Sequence, residues 1–201
     1  ICSARLLGQG SAGHVKTERL MIAGQAIFGF TGPIDSSSAS RICGALNESI
    51  NQGYSEFHLA FSSLGGLTAD GIFVYNHLRA SPIPVIIHAT GNVASVAVAI
   101  FLAGSARFCS KHVLFMMHPT SIGPFGEGLS WERIESLRQS ALAEEGRTES
   151  ILRERASIPD EVLKARRFRY VHFSPEDAVK FGIAHEIKEF SLPSGARVLQ
   201  I

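Results

Sequence analysis

The amino-acid sequence predicts a layered α/β domain with a largely parallel sheet, built from repeated strand–helix units. Short runs rich in β-branched and aromatic residues alternate with helical stretches along the chain, and the most apolar helical stretch has no charged residue on any face. Of the 201 residues, 45% are hydrophobic and 18% charged. This composition supports one sizeable core and excludes disorder for the bulk of the chain.

The first half of the chain contains two predicted strand–helix units. The strands cover residues 26–30 and 56–62, and the helices cover 36–51 and 68–79. Alternating apolar residues indicate the strands, whereas apolar residues at helical spacing indicate the helices.

The third predicted unit lies in a charge-free run between Arg79 and Arg107. A run of this length is typical of a transmembrane helix, but prolines at its start and polar residues in its middle argue against one. We interpret it as a buried strand over 85–88, a turn at 90–92 and a buried helix over 94–103.

The second half predicts a strand over 113–117 and a long, charged helix over 131–156 with a thin apolar stripe. Ser157 is expected to cap the next helix, with a proline in its first turn. The segment 174–177 resembles a capping box that opens a short helix, which Gly182 ends.

Charge and cysteine content exclude several classes of partner and cofactor. Lys and Arg number 19 against 18 Asp and Glu, a net charge of +1, which predicts neither a nucleic-acid nor a membrane partner. The three cysteines, Cys2, Cys43 and Cys109, are too few and scattered for a disulfide framework or a metal site. We therefore expect reduced thiols in a cytoplasmic protein without metal or cofactor.

Three turns that follow predicted strands carry residues suited to catalysis: Gly65-Gly66, the segment 91–95 and His118-Pro119. Ligands bind where the strands of α/β sheets end. Ser95 is expected in the first turn of a helix, where backbone N–H groups can hold an oxyanion, and His118 is a candidate base. Spacing alone does not exclude a purely structural role for these residues, in which the glycines only form turns and His118 belongs to the core.

Together these segments resemble the Clp protease proteolytic subunit family, part of the ClpP/crotonase fold group. The match runs from about residue 27 to 187. The matching segments are Ser63-Leu64-Gly65-Gly66 with Gly71 and Tyr75, Gly91-Asn92-Val93-Ala94-Ser95, Ala103-Gly104, Phe115-Met116-Met117-His118-Pro119 with Gly126, and Phe181-Gly182-Ile183.

The resemblance implies a ClpP/crotonase-like layered fold with a protruding handle helix over 131–156, and a site formed by a nucleophile, a base and two backbone amides. Ser95 would be the nucleophile and His118 the base, with the N–H groups of Gly66 and Val96 as the oxyanion hole. Family members form heptameric rings that pair into a barrel, and an ATP-dependent Clp unfoldase feeds them polypeptide.

The expected division of the chain is an N-terminal arm or added segment over 1–25, a ClpP-like protease domain over 26–190 and a C-terminal tail over 191–201. The tail, Leu64 and His185 depart from the family pattern, and indicate a divergent branch.

The most consequential departure is Tyr170, which stands where the family has its catalytic aspartate. A tyrosine is neutral at pH 7 and cannot stabilise an imidazolium as a carboxylate does. Three hypotheses follow: a weakened Ser95–His118 dyad, a substitute acid, or an inactive paralogue. The candidate substitute acids are Asp160, Glu176 and Asp177.

The leading hypothesis for function is a serine endopeptidase, a hydrolase that cleaves peptides inside a ring of identical subunits. The first alternative is a catalytically weak or inactive ring scaffold, which the loss of the aspartate favours. The second is a crotonase-type acyl-CoA enzyme, against which a serine and a histidine at these positions argue.

Overall fold

The computed structural model describes residues 22–123 and 128–201, and there it has one mixed sheet with helices packed against it. The layered α/β class expected from the alternation of strands and helices is confirmed. The expected N-terminal arm, up to residue 21, and Gly126 lie outside the described residues.

Three strand–helix units form the first half of the fold. They comprise β1 (Ile22–Thr31), α1 (Ser36–Gln52), β2 (Tyr54–Ser63), α2 (Thr68–Arg79), β3 (Val85–Ala94) and α3 (Val96–Leu102). Helix α1 begins at a capping box in which the backbone N–H groups of Asp35 and Ser38 each donate to the other's side chain. It ends at Gly53, whose φ of +81° is the left-handed conformation that a glycine adopts without strain.

The second half contains shorter strands and the long helix. Its elements are β4 (Ala106–Cys109), β5 (Leu114–Met117), α4 (Trp131–Arg155), α5 (Asp160–Ala165), β6 (Val171–Phe173), α6 (Pro175–Lys180), β7 (Glu186–Ile187) and β8 (Val198–Gln200). The capping box expected at Ser174 opens α6. The cap expected at Ser157 is wrong: Pro159 precedes α5, and the Ser157 N–H donates to the Phe181 carbonyl at 2.7 Å.

The strands follow the order β6-β5-β3-β2-β1-β8, with β4 beside β3 and β7 beside β4. Every pairing is parallel except that of β5 with β6, which is antiparallel. The carboxyl ends of β2, β3 and β5 therefore face the same edge of the sheet, where α/β proteins bind their ligands.

Strand β3 is longer than expected, and the turn predicted at 90–92 is wrong. Residues 86–89 of β3 pair with β4, and residues 92–94 then pair with β5. Two successive partners hold the backbone extended through Gly91, where a Cβ atom would lie 2.5 Å from the Ser62 Oγ. The strand continues past Gly91 instead of ending there, and it leads directly to Ser95.

Helix α3 lies at the centre of the domain, between α2 and α4. Each of its residues is at most 3% exposed, so its uniformly apolar surface packs against protein on all sides. The charge-free run is thus divided between β3 and a buried helix, as the sequence predicted. No helix in the described ranges is both long and apolar enough to span a membrane.

The last residues of the chain extend the sheet. Strand β8 pairs in parallel with β1, and the Ile201 N–H donates to the Gly29 carbonyl at 2.9 Å. The segment predicted as a C-terminal tail therefore covers the edge of β1, which would otherwise present unpaired backbone groups.

Candidate active site

A cavity of about 280 Å³ opens beside the carboxyl ends of β2, β3 and β5. Of the five site residues predicted from the sequence, Gly66, Ser95, Val96 and His118 line it, and Tyr170 does not. The four lining residues come from three separate segments of the chain, so their common location is a property of the fold.

Ser95 connects β3 to α3 in a strained conformation. Its φ of +58° and ψ of −131° make it the one non-glycine residue of positive φ within residues 22–123 and 128–201. Such backbone costs about 1–3 kcal/mol and is concentrated at functional sites. We expected Ser95 in the first turn of α3, but it immediately precedes the helix. Its N–H donates to the Met116 carbonyl at 2.8 Å, which ties this turn to β5.

Two glycines after β2 allow the backbone to approach Ser95 closely. At Gly65, whose φ is +93°, a Cβ atom would lie only 2.6 Å from the Ser95 Cβ. The Ile34 N–H donates to the Gly65 carbonyl at 2.9 Å, and the Leu67 N–H donates to the Ile34 carbonyl at 2.8 Å. Neither bond uses the N–H of Gly66, and the N–H of Val96 has no partner within α3 because Val96 is its first residue.

His118 follows β5, and its ring has a defined orientation. Its Nδ1 atom lies 2.6 Å from the Pro119 carbonyl oxygen. Because a carbonyl only accepts, the proton of the neutral ring lies on Nδ1, and this tautomer leaves on Nε2 the lone pair that a general base needs. No hydrogen bond joins Ser95 Oγ to this ring among the contacts of the described residues. Catalytic hydrogen bonds are often long before substrate binds.

Tyr170 stacks on the His118 ring, with centroids 5.4 Å apart and planes inclined by 23°. The antiparallel register explains the contact: Met117 pairs with Val171, so the next residues outward on the two strands meet. The residue that the sequence placed at the family's aspartate position therefore contacts the face of His118.

None of the three candidate acids forms a hydrogen bond with His118. Asp160 receives a hydrogen bond from Arg153 at 2.6 Å, Asp177 caps α6, and Glu176 is exposed in the first turn of α6. Within the described ranges no carboxylate forms a hydrogen bond with His118. The group bound to Nδ1 is a backbone carbonyl, which no sequence pattern signals.

A family model described as Clp protease matches residues 11–190. The chain belongs to the Clp protease family. The ClpP-like fold class and the family suggested by the ordered motifs are thereby confirmed, and the family is one of peptidases.

The remainder of the cavity contains a charged group that the sequence analysis missed. This part of the cavity is lined by Glu145 and Thr148 of α4 and by Arg166, which follows α5. Arg166 is 2% exposed and its Nη2 atom lies 2.7 Å from Glu145 Oε1. Nothing in the sequence distinguishes Arg166 from its neighbour Arg167, because the difference lies only in burial.

The described residues of this Clp protease family member offer little evidence for a cysteine nucleophile or a metal site. Cys43 and Cys109 are buried free thiols, and burial raises the pKa of each to about 11, so neither is a thiolate at neutral pH. No group of three or more potential metal ligands is close enough together in residues 22–123 and 128–201.

Proposed function

We propose that this chain is a serine peptidase in which Ser95 attacks the carbonyl of a peptide bond and His118 takes the serine proton. The observation that best supports the proposal is the shared cavity of Ser95, His118 and the Gly66 backbone. A nucleophile, an oriented base and free N–H groups around one cavity are the parts that acyl transfer needs.

The proposed reaction has two halves. Ser95 Oγ bonds to the carbonyl carbon while His118 Nε2 accepts its proton, and the N–H groups of Gly66 and Val96 hold the oxyanion. The tetrahedral intermediate then breaks its C–N bond as His118 returns the proton to the leaving amine. Water next attacks the Ser95 ester with His118 again as base, which releases the carboxylic acid and the free serine.

Pro119 and Tyr170 give His118 its environment in this proposal. The Pro119 carbonyl holds the tautomer that catalysis needs, and the Tyr170 ring stacks against the imidazole face. In a serine protease whose triad aspartate becomes asparagine, kcat falls by about 10⁴ because the histidine takes the wrong tautomer. Here the tautomer is the productive one, so we expect a smaller loss, due mainly to the missing negative charge.

The apolar face of α4 supports self-association. Three of its side chains are strongly exposed: Trp131 at 77%, Leu142 at 57% and Ile134 at 44%. Exposed apolar side chains at this density on one helix indicate an interface. We propose that copies of the chain pack through this face in an oligomeric ring, the assembly typical of the family. A Clp unfoldase partner and a cytoplasmic location rest on the resemblance alone.

Hydrolysis of fluorogenic peptides tests the proposal, with the Ser95→Ala and His118→Ala variants as controls of matched fold. We expect turnover in the wild-type protein that falls by at least about 10³ in both variants. Absence of turnover, in a protein shown to be folded and assembled, would favour the inactive scaffold. A crotonase-type acyl-CoA enzyme is disfavoured, because the one carboxylate among the described residues of the cavity, Glu145, is engaged by Arg166 and Thr120.

A further inference from the structure

The wall of the active-site cavity formed by α4 and the end of α5 contains a buried ion pair. The Arg166 side chain is 3% exposed and that of Glu145 is 12% exposed, with 2.7 Å between Arg166 Nη2 and Glu145 Oε1. Thr120 Oγ1 donates to the other carboxylate oxygen, Glu145 Oε2, at 3.0 Å. All three residues line the cavity that contains Ser95 and His118.

This ion pair has unused hydrogen-bonding capacity. Arg166 Nε is buried and has no hydrogen-bond partner among the described residues, and Glu145 Oε1 has only the contact with Arg166 Nη2 at 2.7 Å, so it can accept from a second donor. A buried donor or acceptor left unsatisfied costs about 1–3 kcal/mol. Because both side chains line the cavity, a polar ligand that reaches the pair would supply an acceptor for Arg166 and a donor for Glu145.

The charges around the pair are balanced. Glu149 lies 3.6 Å from Arg166 and is engaged by Arg153 and Arg167, and Arg153 also pairs with Asp160. The cluster thus contains three arginines and three carboxylates, and its net charge is zero: Arg153, Arg166, Arg167, Glu145, Glu149 and Asp160. Glu145 would repel a carboxylate ligand, and Arg166 would repel an ammonium ligand. A neutral ligand with both a hydrogen-bond donor and an acceptor therefore fits best.

We propose that Arg166 and Glu145 make this cavity selective for a carboxamide side chain, glutamine or asparagine, at the substrate residue whose carbonyl Ser95 attacks. The amide oxygen accepts from Arg166, and the amide N–H₂ donates to Glu145 Oε1. Leu152, Met117 and Val98 line the same cavity and contact the side-chain methylenes. This inference rests on the proposed peptidase function and names its substrate class.

Peptide binding to the Ser95→Ala protein tests the selectivity without requiring catalysis. The probes are four N-terminally labelled peptides of one sequence that end in Gln, Met, Glu or Lys, measured by fluorescence anisotropy. Met has nearly the size of Gln but no polar group. We expect the Gln peptide to bind about tenfold or more tightly than the Met peptide, with Glu and Lys weaker still.

Charge variants in the same Ser95→Ala background test which residues determine the preference for the last side chain of the peptide. Glu145→Gln leaves Arg166 uncompensated and should shift the preference to the Glu peptide, whereas Arg166→Gln leaves Glu145 uncompensated and should shift it to the Lys peptide. Arg153→Gln is the control, because Arg153 belongs to the same cluster but does not line the cavity; it should keep the Gln preference.

A Met peptide that binds as tightly as the Gln peptide, or failure of all four to bind, would overturn the inference, even if neither charge variant folds. The proposed function is judged separately, by peptide turnover in the wild-type protein. Turnover without carboxamide preference would reject this inference alone. Carboxamide-selective binding without turnover would support the selectivity of the cavity but reject the peptidase reaction, and with it the assignment of the bound residue as a substrate residue.

Discussion

The Nδ1 atom of His118 donates to the carbonyl oxygen of Pro119 at 2.6 Å, so the next residue in the chain orients the proposed base. In a serine triad the same nitrogen donates to a carboxylate, which both fixes the tautomer and stabilises the imidazolium. The Pro119 carbonyl performs the first of these tasks but has no net charge for the second. The predictions on activity depend on this distinction.

Replacing Tyr170 by aspartate should increase activity. The Tyr170 ring stacks on His118, so a carboxylate at this position would lie near the imidazolium and stabilise it. We expect Tyr170→Asp to raise kcat/KM for peptides by about tenfold or more, and to shift the pKa of the base seen in the pH–rate profile upward. Tyr170→Asn is the matched control, which loses the ring without adding a charge; an equal gain in that variant would contradict the account.

Replacing Gly65 by alanine should abolish activity and destabilise the fold. The new Cβ atom would lie 2.6 Å from the Ser95 Cβ and 2.8 Å from the Ala94 carbonyl oxygen, at a φ of +93°. We expect a loss of at least about 2 kcal/mol in the free energy of unfolding, measured by urea denaturation. Gly44→Ala in α1 is the control, since the added Cβ atom would meet no described atom within 4 Å beyond the helix's own backbone. This variant should be more stable than the wild-type protein by about 0.5–1 kcal/mol.

Stability should fall below pH 6.5 because of His88. Burial lowers the pKa of His88 to about 4 from 6.5, assisted by His58, whose Nδ1 lies 3.3 Å from His88 Nε2, and by Lys188. Above pH 6.5 His88 is neutral whether the chain is folded or unfolded. Between pH 6.5 and 4 the histidine binds a proton in the unfolded chain but stays neutral in the native state. The free energy of unfolding therefore decreases as pH falls, by about 2–3 kcal/mol in total.

The His88→Leu variant isolates this contribution from the carboxyl groups that also titrate in acid. Urea denaturation between pH 4.5 and 7.5 should give a shallower loss of stability in the variant than in the wild-type protein. Parallel curves for the two proteins would show that His88 accepts its proton without disturbing the native packing.

Introducing a charge on the apolar face of α4 should reduce the size of the assembly. Leu142 is 57% exposed and lies on the face that we propose as the interface. Leu142→Glu would bury a carboxylate in that interface, which is unfavourable without a partner. We expect sedimentation velocity to show smaller species, whereas Ser140→Glu, which is exposed on α4 outside this apolar face, should keep the wild-type mass. Equal masses for both variants would place the interface elsewhere.

The sequence was most informative where side-chain chemistry and backbone requirements coincide. Gly66, Ser95 and His118 could be selected because each follows a recognisable strand, and parallel strands bring their carboxyl ends to one edge. The capping box at Ser174 was correct for a similar reason, since its hydrogen bonds join residues three apart in the chain.

Features that depend on long-range partners were missed. The turn expected near Gly91 is part of β3, because β5 takes over the pairing that β4 ends. The acceptor for His118 is a main-chain carbonyl, present at every residue. Arg166 reaches the cavity because it lies at the end of α5 and pairs with Glu145 of α4, whereas its position in the sequence is like that of a surface arginine.

The most direct test of the account is labelling with a fluorophosphonate, which reacts with activated serines, read by intact mass beside the Ser95→Ala variant. We expect one adduct per chain in the wild-type protein, none in Ser95→Ala, and slower labelling in His118→Ala. A folded, assembled wild-type protein that stays unlabelled would contradict the claim that His118, held by Pro119, activates Ser95.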